Sequence, residues 1–144
     1  MLISVPEQKV RGAATDALVE FVDIYPALAE LCSLPAPADL EGSSFVRLLE
    51  DSNQPWKTAA FSVYEKQIPD LGMGYGHAMR TDRYRFIEWA VPGKDKKYNE
   101  LYDHKTDPQE NTNIAGLPET KELVAKLSKQ LAGGWKQAIP PPAK

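Results

Sequence analysis

Four side chains able to bind an anion are concentrated in one short stretch of this sequence. They are His77, Arg80, Arg83 and Arg85. Guanidinium groups hold sulfate, phosphate and carboxylate groups through paired hydrogen bonds, so the stretch is a candidate site for an anionic ligand. Alternatively, the arginines pair with carboxylates on neighbouring strands, since cross-strand charge pairs are common in small sheets. The carboxylates available for that role are Glu65, Glu88, Glu100 and Asp103.

The possible nucleophiles and metal ligands in the sequence do not have the spacing of known catalytic or metal-binding motifs. The single cysteine, Cys32, follows an apolar helical pattern, which is typical of a buried structural thiol. His77 and His104 lack a third ligand at a metal-binding spacing. The carboxylates of Asp103, Asp107 and Glu110 superficially resemble a calcium loop, but Pro108 stands where such a loop requires glycine. The sequence therefore predicts no catalytic residue and no metal site in this chain.

Composition excludes several classes of protein. The 144 residues carry 17 Lys and Arg against 20 Asp and Glu, a net charge of −3, which disfavours a nucleic-acid partner. Apolar residues make up 42% of the chain, and no apolar run approaches the roughly 20 residues of a membrane span. We therefore expect a globular chain of about one domain's length that binds neither nucleic acid nor membrane.

The cationic stretch must be positioned by a small sheet. His77–Arg80 and Arg83–Trp89 read as the two strands of a hairpin around a turn at Thr81-Asp82. The preceding Leu71–Gly76 is glycine-rich and is predicted to be a flexible loop. Because His77 and Arg80 follow this loop, we expect them, rather than Arg83 and Arg85, to contact a substrate.

The remaining patterns predict helices on either side of that hairpin. Apolar spacing predicts two short helices over residues 16–22 and 24–33, a further helix from Phe45 to Leu49, and a terminal helix from Pro118. Two more strands are predicted at residues 58–64 and 99–103. The expected fold class is α+β: an antiparallel sheet of three to four strands with a packed C-terminal helix, preceded by short helices.

Several stretches resemble the C-terminal part of the sulfatases, in the alkaline-phosphatase-like superfamily. Leu18–Leu31 is similar to the segment that follows the last large strand of the sulfatase catalytic domain. Glu100–Ala115, with the sequence ELYDHKTDPQENTNIA, resembles a stretch near the end of many sulfatases. Met73–Tyr75 and Ala78–Phe86 look specifically like the iduronate-2-sulfatase branch.

The resemblance implies a hydrolase of sulfate esters whose catalytic centre lies outside this chain. Sulfatases use calcium and a formylglycine formed in a C/S-x-P-x-R motif, and this sequence has no such motif. We expect both in a missing N-terminal part of the enzyme, and a sulfated acidic saccharide as substrate. The intact family enzyme is typically exported, periplasmic or lysosomal. The alternative is a non-catalytic anion-binding or interaction module.

The resemblance also implies a division of the chain. Residues 1–56 correspond to the closing strand and helices of the catalytic domain, 57–137 to a C-terminal sheet-and-helix subdomain, and 138–144 to a Pro-rich tail. The start of the chain lacks the basic and small residues of a signal peptide, and Leu2–Val5 reads as a strand cut from a larger sheet. An unpaired apolar strand favours association, so we expect the first ~30 residues to pack on the small sheet or across a homodimer interface.

Overall fold

The computed structural model describes residues 1–6, 10–94 and 98–141; residues 142–144 of the predicted tail lie outside this range. The chain divides into two compact units. The first comprises Met1–Lys57 together with Ile139–Lys144, and the second comprises Thr58–Ala138. No helix in the described parts of the chain has the length and apolar character needed to cross a membrane.

The first unit is built on short helices. A 3-10 helix at Phe21–Asp23 leads directly into α1 (Ile24–Leu31), and α2 spans Val46–Glu50. Pro26 lies in the first turn of α1, where its missing N–H is tolerated. The helix predicted over residues 16–22 is wrong, because Glu20 has an extended backbone (φ −117°, ψ 160°) that ends the regular pattern. The predicted strand at Leu2–Val5 is also absent.

A buried ion pair holds the beginning of the first helical segment. The Lys57 ammonium lies 2.7 Å from Asp23 Oδ1 and 2.6 Å from Glu20 Oε2, and the Asp23 side chain is fully buried. Asp23 also accepts a hydrogen bond from the backbone N–H of Ser43 at 2.7 Å. The adjacent Gly42 allows this close approach, since a Cβ there would lie 1.9 Å from the carbonyl oxygen of Val22.

In the same unit, Arg47 forms hydrogen bonds with two segments that are far apart in the sequence. Arg47 donates hydrogen bonds to the carbonyl oxygens of Pro141 at 2.9 Å and Pro55 at 3.0 Å. Its guanidinium also stacks over the ring of Trp56, 4.9 Å from the centroid. Arg47 therefore ties the chain just before the second unit to the chain just after it.

The second unit is a four-stranded antiparallel sheet in the order β1-β2-β3-β4. The strands are β1 (Ala60–Ile68), β2 (Gly72–Arg80), β3 (Tyr84–Ala90) and β4 (Tyr98–Asp103). Helix α3 (Lys121–Gly133) follows and packs on one face. The predicted α+β fold with a packed C-terminal helix is confirmed.

The core lies between that sheet and α3. Met79, Phe86 and Leu101 come from three successive strands and are completely buried, and Leu127 of α3 covers them. Burial of these side chains drives the packing at about 25 cal/mol per Å² of apolar surface. Tyr84, from the same strand and face as Phe86, packs against this cluster.

The predicted glycine loop is instead the first half of β2. Its glycines alternate, so Gly74 and Gly76 lie on the face away from α3, where neighbouring side chains occupy their space. A Cβ at Gly76 would lie 2.9 Å from the indole of Trp89, and one at Gly74 would lie 2.5 Å from Ile68. The glycines therefore serve close packing across the sheet rather than flexibility.

Candidate functional site

The two predicted ligand-binding residues lie on opposite faces of the sheet. In β2, His77 pairs with Glu88 of β3, whereas Arg80 pairs with Arg85. Side chains of a strand alternate between faces, so positions 77 and 80 point in opposite directions. His77 is exposed on the α3 face, and Arg80 lies half-buried on the other face. The structure therefore does not bring the two together.

Arg80 lies instead beside a second arginine. Arg80 and Arg85 are directly opposite in the β2–β3 register, on the face away from α3. The Arg80 Nη1 atom is buried and has no hydrogen-bond partner among the described residues. Burial lowers the pKa of Arg80, and the neighbouring Arg85 charge lowers it further. Arg80 is thus a cation without enough neighbouring negative charge.

Arg83 forms an ion pair with a carboxylate of a neighbouring strand, as the alternative interpretation of the cationic stretch predicts. Its Nε and Nη2 atoms donate to the two carboxylate oxygens of Asp103 at 2.8 and 2.6 Å. This fork-to-carboxylate pair raises the pKa of Arg83 and lowers that of Asp103. The side chain of Arg83 is therefore occupied by a structural role at the end of the sheet.

Arg85 is held by a carboxylate from the loop that follows β4. Glu110 Oε1 lies 3.0 Å from Arg85 Nε and 2.6 Å from His104 Nε2. Glu110 has a left-handed backbone (φ 58°), which is uncommon for a residue other than glycine. Sequence reasoning missed this partner, because the residue comes 25 positions after Arg85 in a loop whose course no local pattern predicts.

The same face carries a hydrogen-bonded group centred on Glu100. Its carboxylate accepts from Trp89 Nε1 at 2.7 Å and from the Tyr102 hydroxyl at 2.8 Å. Burial, followed by the hydrogen bond to Glu100, raises the pKa of Tyr102 to about 12. Trp89 also meets Tyr64 edge-on, with ring centroids 6.4 Å apart.

The loop after β4 is fixed by its own polar side chains. Asp107 accepts from the backbone N–H of Thr112 at 2.8 Å and from Asn111 Nδ2 at 3.1 Å. Asn113 accepts from the backbone N–H of Leu101 at 3.0 Å, which joins the loop to β4. These contacts give most polar residues of the Glu100–Ala115 stretch a structural role in placing Glu110.

Metal and thiol chemistry find little support in the described residues. No group of three or more His, Cys, Asp or Glu side chains in residues 1–6, 10–94 and 98–141 is arranged to hold a metal ion. Cys32 is exposed, so the prediction of a buried thiol is wrong. The apolar stripe that suggested burial is itself half-exposed at Tyr25 and Leu28.

Curated relatives of this chain are sulfatases of greater length. A sulfatase of Formosa agariphila is 32% identical over 117 residues, covering 81% of this chain and 20% of the relative. An N-acetylglucosamine-6-O-sulfatase of Bacteroides thetaiotaomicron is 26% identical over 140 residues, covering 95% of this chain and 25% of the relative. The chain therefore spans about a quarter, or less, of the length of these two proteins.

Solved structures and a family model agree with these relatives. A 2-O GAG sulfatase superposes with a TM-score of 0.63 at 23% identity, over 80% of this chain and 24% of that protein, which shows a shared fold. The model for N-sulphoglucosamine sulphohydrolase, C-terminal, matches residues 1–137. With nearly the whole chain matched and the sheet-and-helix fold in common, this protein belongs to the family of sulfatase C-terminal domains.

Proposed function

We propose that this chain forms the C-terminal part of an enzyme that hydrolyses sulfate esters of an acidic saccharide. The observation that carries the proposal is the family match over residues 1–137. Two similar proteins are described as an N-acetylglucosamine-6-O-sulfatase and a 2-O GAG sulfatase, so sulfated sugars are the substrates their names indicate. The short share of each relative that this chain covers supports a reaction centre elsewhere in such an enzyme.

The chemical step requires groups that this chain does not supply. The sequence contains no C/S-x-P-x-R motif for a formylglycine. We propose that formylglycine and calcium both belong to the N-terminal part of the intact enzyme. The 144-residue chain by itself is then inactive, and its role is to complete the wall of the substrate cleft.

Arg80 is the residue in this chain best suited to contact the substrate. It is half-buried and its Nη1 atom lacks a partner among the described residues, whereas Arg83 is already occupied by Asp103. We retain His77 as a second candidate because it is exposed. Since it lies on the other face of the sheet, it acts at a separate contact rather than beside Arg80.

The finer specificity we propose is that of an iduronate-2-sulfatase-like enzyme. Its support is the sequence resemblance of Met73–Tyr75 and Ala78–Phe86, which lie in β2, the β2–β3 turn and the start of β3. A uronate substrate carries a carboxylate as well as a sulfate, and a hairpin with spare guanidinium donors suits such a dianion.

Hydrolysis assays with two polypeptides test this function. The purified 144-residue chain is expected to release no sulfate from an aryl sulfate, with or without calcium. A polypeptide encoded in frame upstream and through this chain is expected to contain C/S-x-P-x-R and to release sulfate, from iduronate 2-sulfate faster than from glucosamine 6-sulfate. Turnover by the 144-residue chain alone would refute the proposed division of labour. An upstream reading frame without the motif would favour the non-catalytic module.

A further inference from the structure

The face of the sheet away from α3 carries an arginine pair that lacks sufficient negative charge. Arg80 and Arg85 occupy directly opposite positions in β2 and β3. Directly opposite residues in an antiparallel pair have Cβ atoms about 5 Å apart, and like charges there destabilise the sheet. Some group of opposite charge is needed to offset this repulsion.

The carboxylates within the unit compensate the pair only in part. Glu110 contacts Arg85 through one oxygen, Oε1, which it shares with His104. Arg80 makes no ion pair with a described residue; Glu110 and Asp82 act on it only as neighbouring charges. Its buried Nη1 donor remains unsatisfied among the described residues, and an unsatisfied charged donor is costly to bury.

Arg83, in the same hairpin, has its positive charge compensated by the carboxylate of Asp103. Arg83 donates two hydrogen bonds to Asp103, and this pairing raises the pKa of Arg83. For Arg80 the direction is reversed, because burial and the Arg85 charge together lower the pKa of its guanidinium. The two arginines are three residues apart, and of the two only Arg80 has a buried donor without a partner among the described residues.

We propose that Arg80 and Arg85 together bind a sulfate group. Arg80 and Arg85 are both partly exposed and supply guanidinium donors from two strands, and a tetrahedral oxyanion accepts from both. The choice of sulfate over another oxyanion rests on the proposed function. The sulfate is either an ester on a saccharide or inorganic sulfate released by the reaction.

A sulfate titration of the purified 144-residue chain tests this site. Sodium sulfate replaces sodium chloride at constant ionic strength while backbone amide resonances are followed by NMR. We expect saturable shifts centred on residues 78–87, and an apparent Kd weakened about tenfold in Arg80→Lys, which keeps the charge but loses the fork. Lys126→Met is the control, because it removes one cation from the exposed side of α3 and is expected to bind like the wild type.

The outcomes separate the site from general salt effects. Shifts that rise linearly with sulfate, or that are equal in Arg80→Lys and the wild type, overturn the proposal. If Arg80→Lys does not fold, Arg85→Lys gives the same test, and the location of the wild-type shifts is a test that needs no variant. Shifts confined to residues far from positions 80 and 85 also overturn it.

Two probes distinguish the source of the sulfate. Iduronate 2-sulfate and inorganic sulfate are titrated in parallel, with unsulfated iduronate as the control. Binding of the sulfated sugar much more tightly than sulfate assigns the site to an ester, and equal binding assigns it to the inorganic ion. Failure of both probes to bind overturns the site but leaves the sulfate-release assays of the longer polypeptide unaffected, so the two proposals fail separately.

Discussion

The arginines of the β2–β3 hairpin differ because of the acceptors that surround them. Arg83 meets both oxygens of Asp103, Arg85 shares one oxygen of Glu110, and Arg80 has an unpaired donor among the described residues. Residue type alone therefore gives no measure of ligand-binding capacity. The capacity of an arginine to bind a ligand depends on how many of its guanidinium N–H groups have no hydrogen-bond partner within the protein.

The Arg83–Asp103 pair makes stability depend on pH. Because Asp103 has a folded pKa below its ordinary value of 3.8, its contribution is complete above that value and disappears as the pH falls through the folded pKa. We expect Arg83→Gln to lower the unfolding free energy most near pH 7. The difference from the wild type should shrink progressively as the pH falls below 3.8.

Urea unfolding at pH 7 and at pH 2.5 measures this dependence. Loss of the Arg83 contact with the Tyr84 ring is expected to add an offset that does not vary with pH. Lys129→Gln serves as the control, since Lys129 is exposed on α3. A difference between Arg83→Gln and the wild type that is the same at both pH values would contradict the ion-pair account.

The buried Lys57 is expected to be the most sensitive charged residue of the first unit. Replacing it by Met leaves the fully buried Asp23 without a counter-ion, and breaking a buried pair costs about 3–5 kcal/mol. Chemical denaturation followed by circular dichroism gives the change in unfolding free energy. Lys57→Arg retains the charge and is expected to lose less. Equal stability of Lys57→Met and the wild type would show that the pair contributes nothing.

Elements differ in how well the sequence predicts them. The hairpin, β4 and α3 follow clear alternation or helical spacing, and they lie where the pattern predicts them. The first half of β2 was missed because glycines carry no side chain to display alternation. Its strand conformation depends on contacts with Ile68 and Trp89 across the sheet, which no local pattern contains.

The candidate site was predictable only in part for a related reason. The cluster of cations is visible in the sequence, but the pairing of Arg80 with Arg85, rather than with His77, depends on strand register. A shift of one residue in register exchanges the two faces. Glu110 reaches Arg85 through a left-handed backbone position in a long loop, and a local pattern does not encode that course.

Gly42 is expected to be the glycine of the first unit least tolerant of a side chain. A methyl group there would meet the backbone carbonyl of Val22 at 1.9 Å, and backbone cannot move aside as a flexible side chain does. We expect Gly42→Ala to cost at least about 1–3 kcal/mol, the usual range for overpacking. Thermal unfolding measures the change.

A glycine with open surroundings provides the matched control. Nothing lies within 4 Å of a Cβ built at Gly116, so Gly116→Ala is expected to change stability by no more than about 1 kcal/mol. Equal melting temperatures for the two alanine variants would show that the loop around Gly42 yields easily.

Several large apolar side chains of the first unit are exposed. Leu2 and Phe21 are almost entirely exposed, and Tyr25 and Leu28 are more than half exposed. Large apolar patches on a protein surface commonly mark sites of association. The expectation of a homodimer through the N-terminal segment therefore remains a prediction for this molecule.

Sedimentation velocity over a range of concentrations tests the homodimer. We expect a dimer whose dissociation constant is raised at least about tenfold in Leu2→Lys, because a charged side chain replaces an apolar contact. Leu117→Lys is a comparable change at a half-exposed leucine of the second unit and should leave the dimer intact. A monomer at all concentrations would contradict the prediction.

The hydrogen bonds of Arg47 affect the conformational entropy of the chain between Pro55 and Pro141. By binding the carbonyls of Pro55 and Pro141, it closes residues 58–138 into a loop without a covalent link. The entropy cost of such closure grows only with the logarithm of loop length, about 0.6 kcal/mol for each doubling. Lengthening or shortening the segment between these two contacts therefore changes the entropy cost of closing it very little.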